Sequence, residues 1–178
     1  QDDAHIFCGQ DQLAKEIGNV LEMVSEVHRD LGLSGVEVSV STRPEKYVGE
    51  IADWDRMERF LIEAVEHAGH SCGIKRGQGA FYGPKVEYDF RDALGRAWQL
   101  STLQIDVSMP ARFGLRYVGA DGAEHQPAMM HRAILGSLER FIGIYLEHTA
   151  GAFPLWLAPV QVVVLPISER HQAYAHDV

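Results

Sequence analysis

Gly95 separates two runs of alternating side chains, and no other feature of the sequence narrows the fold as far. Val86, Tyr88 and Phe90 alternate with Glu87, Asp89 and Arg91, and beyond the glycine a second run extends around Trp98 to Val107. Successive side chains of a strand point to opposite faces, so each run is a strand, and a short turn joins two strands only as antiparallel neighbours. A parallel sheet needs a crossover of about a dozen residues between neighbouring strands, which this turn does not supply. Around the hairpin the apolar period changes. Leu13, Ile17, Val20, Leu21, Val24, Val27 and Leu31 recur at helical spacing with Gly32 as a C-cap, and Trp54, Met57, Phe60, Leu61, Ala64 and Val65 make a second helix closed near Gly69. Helices alternating with paired strands predict an α+β fold, an antiparallel sheet flanked by helices. With 178 residues and 46% hydrophobic content, one main domain is expected.

The remaining pattern completes the expectation. Val36, Val38 and Val40 alternate with Glu37 and Ser39 as a half-buried strand that Arg43–Pro44 ends. Gly73, Gly77, Gly79 and Gly83 punctuate a loop able to bring backbone close to a ligand. A third helix is marked by Ile134, Leu135, Leu138, Phe141, Ile142 and Tyr145, after a loop containing Pro127. Val160 to Leu165 reads as a buried strand, and Glu169 to Val178 begins a polar helical pattern without a cap.

A formal charge of −9 repels polyanions, so a nucleic-acid contact has to come from a local basic patch, and no long basic run is present. Cys8 and Cys72 stand far apart and read as free thiols. No stretch reaches the roughly 18 apolar residues of a membrane span, and the start has no signal-peptide character. A soluble, cytoplasmic protein with no membrane partner is therefore expected. Both ends look cut, beginning at Gln1 and stopping within a helical pattern.

Six blocks carry a resemblance. They are Gln1 to Cys8, Ser41 to Glu45, Gly79 to Lys85 (Gly-Ala-Phe-Tyr-Gly-Pro-Lys), Ala97 to Gln104, His131 to Phe141 (His-Arg-Ala-Ile-Leu-Gly-Ser-Leu-Glu-Arg-Phe) and Trp156 to Gln161. Together, in this order and over essentially the whole chain, they resemble threonyl-tRNA synthetase, a class II aminoacyl-tRNA synthetase. The resemblance implies a partial class II catalytic core over residues 1–158, from within motif 2 through motif 3 (Gly136 to Phe141), and the start of an anticodon-binding domain over 159–178. Motif 1, through which the family forms its homodimer, lies outside the 178 residues.

The activity so implied is ATP-dependent conversion of L-threonine to threonyl-adenylate, with Mg2+ accompanying ATP, then transfer to threonine tRNA. Negative charge develops on phosphate and carbonyl oxygens in both steps, so fixed cations and hydrogen-bond donors carry most of the catalysis. His5 and His131 match two zinc ligands of the family, one Zn2+ per active site, with a cysteine upstream of this chain as the third. Open zinc positions suit the amino and hydroxyl groups of threonine and select for the hydroxyl. A lone histidine is more often an ordinary polar residue, and the blocks around these two are what single them out. Cys8, three residues from His5 on a strand, falls on the opposite face and reads as core.

Gln1 and Asp3 share the face of His5, and the resemblance gives them contacts to the substrate, Asp3 to its ammonium group. It also puts Tyr82 on the threonine side and Lys85 near carboxylate or phosphate. Gln99 is expected to face the nucleotide, and Thr102 and Gln104 the amino acid. Strand parity sets Gln99 opposite to Thr102 and Gln104, so either a bulge near Ser101 re-aims the chain or Gln99 reaches its partner from the strand end. Arg140 is the motif 3 arginine, whose planar guanidinium suits stacking on adenine and holding phosphates, with Gly136 and Ser137 allowing close backbone approach. Lys85 and Arg140 are thus the catalytic candidates, and Gln99, Gly136, Ser137 and Arg140 form the ATP set. Rival readings are a non-catalytic synthetase-like module that binds nucleotide or amino acid for regulation, and a structural zinc domain. The latter usually needs four protein ligands. The isolated segment, with half a site, is expected to be inactive.

Overall fold

A computed structural model describes residues 1–178. Eight strands and five helices follow one another: β1 (Ala4–Cys8), α1 (Leu13–Asp30), β2 (Glu37–Ser41), α2 (Ile51–His67), β3 (Cys72–Lys75), β4 (Lys85–Arg91), β5 (Ala97–Asp106), α3 (Met109–Arg112), β6 (Tyr117–Val118), β7 (Glu124–His125), β8 (Ala128–Ala133), α4 (Leu138–Thr149) and α5 (Gln172–Asp177). Six strands form one sheet in the order β1-β8-β5-β4-β2-β3, while β6 and β7 pair separately. All neighbours in the large sheet are antiparallel except β2 and β3. The α+β expectation holds, and the Gly95 turn joins β4 to β5 as an antiparallel pair.

The core lies between one face of the sheet and the helices. Leu13, Ile17, Val20, Leu21 and Val24 of α1 and Leu61 and Val65 of α2 pack on Val38, Val40, Val86, Tyr88, Leu103, Ile105 and Met130. A second cluster gathers Phe90 and Leu100 with Phe141, Ile144 and Tyr145 of α4. Burial of these stripes, at about 25 cal/mol per Å2 of apolar surface, is what makes the helices form here. The opposite face of the sheet carries most of the candidate site residues.

Four sequence expectations are corrected. Gly73 lies within strand β3, which runs parallel to β2 after the α2 crossover. β2 is buried on both faces from Val38 to Ser41, because β3 and β4 flank it and Ser41 is engaged by Glu87. Ile134 and Leu135 stand in the turn before α4, and the residues ahead of them form the unforeseen strand β8. That strand is inserted between β1 and β5, so Ala128, Met129 and Met130 are all buried and the alternation that would mark it is lost. Finally, Val160 to Leu165 is neither a strand nor buried, with Val162 78% and Leu165 81% exposed. A run of β-branched residues becomes a strand only against a neighbour that pairs its backbone, and none lies beside it. No helix is long and apolar enough to cross a membrane.

Candidate active site

One row of side chains runs straight across the polar face of the sheet, opposite the helices. His5 on β1 opposes His131 on β8, which opposes Gln104 on β5, which opposes Lys85 on β4, which opposes Ser41 on β2, itself beside Lys75 on β3. Six strands bring together residues separated by up to 126 positions. The adjoining row contains Ala133, Thr102, Glu87, Ser39 and Gly73, and beyond it Gln99 opposes Asp89 and Asp89 opposes Glu37.

The parity question at β5 resolves as a bulge. Glu87 pairs with Thr102 and Asp89 with Gln99, so Tyr88 faces two residues, Leu100 and Ser101. The extra residue turns Gln99 onto the face of Thr102 and Gln104. Leu100 is buried in the second core cluster and Ser101 is fully buried.

At the β1 end, the rings of His5 and His131 meet edge to face with centroids 4.8 Å apart. His131 Nε2 is 2.9 Å from Asp106 Oδ2, and the other oxygen of that carboxylate accepts the N–H groups of Ser108 and Met109. Two histidines meeting across one strand pair, one of them held by a carboxylate, is an arrangement suited to a metal ligand pair and its outer support. Asp106 aside, which supports His131, no group of three or more histidine, cysteine, aspartate or glutamate side chains able to hold a metal ion forms here. Cys8 faces the other way, onto the core, and burial foremost, with Glu16 and Asp11, pushes its thiol up.

Tyr82 reaches the row from the glycine loop. A Cβ on Gly83 would stand 1.7 Å from the Ile105 carbonyl oxygen, so only glycine lets the loop lie flat on β5. The Tyr82 hydroxyl then donates to Gln104 Oε1 at 2.8 Å, while Gln104 Nε2 donates to Gly83 O at 3.4 Å. Burial, and next the charges of Asp106 and Asp3, push the Tyr82 phenol up, so it stays a donor. Asp3 is exposed on the face of His5, two residues before it.

Lys85 is paired with Glu87, which is buried and also accepts from Lys75 and Ser41, each at 2.9 Å. Burial pushes the Glu87 carboxyl up, but hydrogen bonds from Lys85, Lys75 and Ser41 outweigh it and hold the group below the usual carboxylate range. Lys75 is bound in turn by Asp89 at 2.5 Å.

The turn from Ile134 to Gly136 joins through Asp2. Its carboxylate accepts the N–H groups of Ile134, Leu135 and Gly136 at 2.9, 3.0 and 2.9 Å, which ties the approach to β1 to the turn before α4. Gly136 has φ +74, and a Cβ there would meet Leu100 O at 3.0 Å. Ser137 caps α4 by accepting Arg140 N at 3.4 Å. The Arg140 guanidinium lies 5.9 Å from the centre of the Trp98 ring and makes no hydrogen bond or ion pair with the His5–Lys85 row. Gln1 is exposed, next to Asp2 at the same junction.

Glu87, Asp106 and Asp2 were missed from the sequence. Two carried a signal, since Glu87 shares strand parity with Lys85 and Asp106 with Gln104. Asp2 had none, because its partners lie more than 130 positions away. A cavity of about 710 Å3 between α1 and α2 contains none of these residues and belongs to the other side of the sheet.

A sheet antiparallel but for one edge pair, with helices on one face and this polar row on the other, is the layout of a synthetase catalytic core. Residues 1–149 match the family model for the tRNA synthetase class II core domain (G, H, P, S and T), and the chain belongs to that family. Over all 178 residues it is 53% identical to threonine–tRNA ligase of Alkalilimnicola ehrlichii, and 52% identical over 181 aligned residues to that of Thermus thermophilus. The chain spans 28% of the length of each of these two relatives. A solved structure of the RNA binding domain of threonyl-tRNA synthetase from Cryptosporidium parvum superposes with a TM-score of 0.92 at 39% identity, covering 99% of this chain and 44% of that one. A prolyl-tRNA synthetase from the same organism shares the fold at TM-score 0.58 and 15% identity, covering 98% of this chain and 33% of that one. The likeness to threonyl-tRNA synthetase drawn from the sequence is borne out.

Proposed function

We propose that this chain is the part of a threonine–tRNA ligase that holds L-threonine and ATP for adenylate formation before transfer to threonine tRNA. The observation that carries the reading is the row His5, His131, Gln104 and Lys85, with Tyr82 bonded to Gln104, on one face of the sheet. The name shared by relatives at 52–53% identity supports it.

Each residue's part follows from its surroundings. Gln104 is oriented at both ends of its amide, so it offers an amino acid the remaining N–H and lone pair in a set direction. Asp3, exposed beside His5, supplies the counter-charge for the ammonium group. Lys85 is a cation fixed by Glu87, preorganised for negative charge developing on carboxylate or phosphate. Thr102 stands with Gln104 on the amino-acid side, and Gln99, brought to their face by the bulge, extends the row toward the nucleotide. Gly136 and Ser137 offer backbone there, and Arg140 stands at the α4 end for the adenine and phosphates of ATP with its Mg2+. His5 and His131 would hold one zinc ion, completed by a cysteine elsewhere in the whole protein. Bound there, zinc supplies Lewis-acid positions that an amino group and a hydroxyl can fill together. The same reading makes residues 159–178 the beginning of an anticodon-binding domain, and the whole protein a cytoplasmic homodimer.

The test is ATP–pyrophosphate exchange by the full-length protein. Exchange that depends on threonine and is far weaker with valine is expected. Nucleotide binding without any exchange would replace this reading with that of a non-catalytic module.

A further inference from the structure

We infer that His28, on the helix side of the sheet, is a positioning residue for the nucleotide end of the site, acting through Ser101 on the β5 bulge and on the turn that carries Gly136. The inference rests on the ligase reading and names a residue that touches no substrate.

His28 sits in the buried stripe of α1, where every other buried residue is apolar. An imidazole in such a stripe is costly unless it is bonded. Its Nε2 lies 2.8 Å from Ser101 Oγ, and both side chains are buried. The Ser101 hydroxyl has one hydrogen, and that hydrogen is directed at the carbonyl oxygen of Ile134, which can only accept. His28 must therefore donate, as the Nε2–H tautomer. Burial foremost, with His70 nearby, lowers the His28 pKa to about 4, so the ring is neutral and the tautomer is defined by this bond. The polarity of the chain is set: His28 donates to Ser101, and Ser101 donates to Ile134.

Both ends of that chain matter to the polar face. Ser101 is one of the two bulge residues facing Tyr88, and the bulge is what puts Gln99 on the same face as Thr102. A bulge leaves a residue outside the ladder, so its position depends on what holds its side chain. Tyr88 also packs edge-on against the His28 ring at 5.6 Å, closing the site from the β4 side. Ile134 lies two residues before Gly136, whose Cα side abuts the carbonyl of Leu100, the other bulge residue. The bulge and the turn are thus joined at two points, and His28 anchors the pair from behind.

The experiment uses the full-length protein with His28→Leu, which keeps an apolar body and removes the donor, His28→Gln, which restores an N–H, and Ser101→Ala. Loss of one buried hydrogen bond corresponds to a change of about three- to tenfold. The KM for ATP in pyrophosphate exchange is expected to rise by that factor in His28→Leu and Ser101→Ala, with the KM for threonine unchanged. Recovery is expected in His28→Gln, and the His28→Leu/Ser101→Ala double variant should be no worse than either single one. Amide hydrogen exchange at Ser101 and from Ile134 to Ser137, read without substrate, should quicken in His28→Leu. A lowered Tm with both KM values and the exchange of these amides unchanged would overturn the inference, as would additive effects in the double variant. Wild type without threonine-dependent exchange would instead defeat the ligase reading, and the amide exchange would still decide the role of the His28 anchor.

Discussion

His131 Nε2 stands 2.9 Å from Asp106 Oδ2, and that carboxylate has no exposed surface. The histidine proposed as a metal ligand is therefore held by a group which itself accepts two backbone N–H bonds and cannot swing away.

From this pair follows the first prediction. In full-length protein, His131→Ala should lose stoichiometric zinc, and Asp106→Asn should weaken zinc affinity by about 10- to 100-fold, the usual cost of an outer-shell partner. Metal analysis after dialysis against graded chelator measures both. Full zinc content in His131→Ala would refute the ligand assignment.

Gln104→Ala removes the acceptor of the Tyr82 hydroxyl and the proposed partner of the amino acid. A loss of about 1–3 kcal/mol in threonine use is expected, with ATP use much less affected. Pyrophosphate exchange at varied threonine and varied ATP separates the two. An effect confined to the ATP dependence would place Gln104 on the wrong side of the site.

Glu87 makes a prediction in pH. Its folded carboxyl is held below the ordinary value of 4.5, because three hydrogen bonds outweigh burial. A group with a depressed folded pKa stabilises the fold above its unfolded pKa, and that contribution is lost as pH falls through the folded one. Urea unfolding should thus show stability falling below about pH 4.5. In Glu87→Gln the neutral-pH stability should be lower by about 1–3 kcal/mol and the acid dependence shallower. An unchanged slope would show that other carboxylates set it.

Gly83→Ala would drive a methyl into the Ile105 carbonyl, 1.7 Å from where a Cβ would lie. The loop has to lift from β5, at a cost expected to exceed about 2 kcal/mol, and Tyr82 loses its reach to Gln104. Thermal unfolding together with the threonine KM reports both effects. Gly77, with φ +75 but open space around it, should cost only the backbone strain of about 1–2 kcal/mol on substitution by alanine.

The sequence by itself determined the α1 and α2 stripes, the β4–β5 hairpin and the choice of most candidate site residues. Periodicity and turn chemistry are local, and the motif blocks are contiguous. His5, Gln104 and Lys85 could each be named from their own segment, and so could the face that Asp3 shares with His5. What no segment contains is its neighbour. The insertion of β8 between β1 and β5 decided that His131 stands between His5 and Gln104, and burial on both sides erased the alternation by which β8 would have been seen. Pairing with β4 decided the bulge, choosing between two placements of Gln99 that the parity of β5 alone left open. Val160 to Leu165 shows the same dependence from the other side, since strand-forming residues with no backbone to pair stay exposed. Charge behaves alike. Glu87 is an ordinary surface type in sequence, and only the convergence of Lys85, Lys75 and Ser41 makes it a buried anion that fixes the lysine.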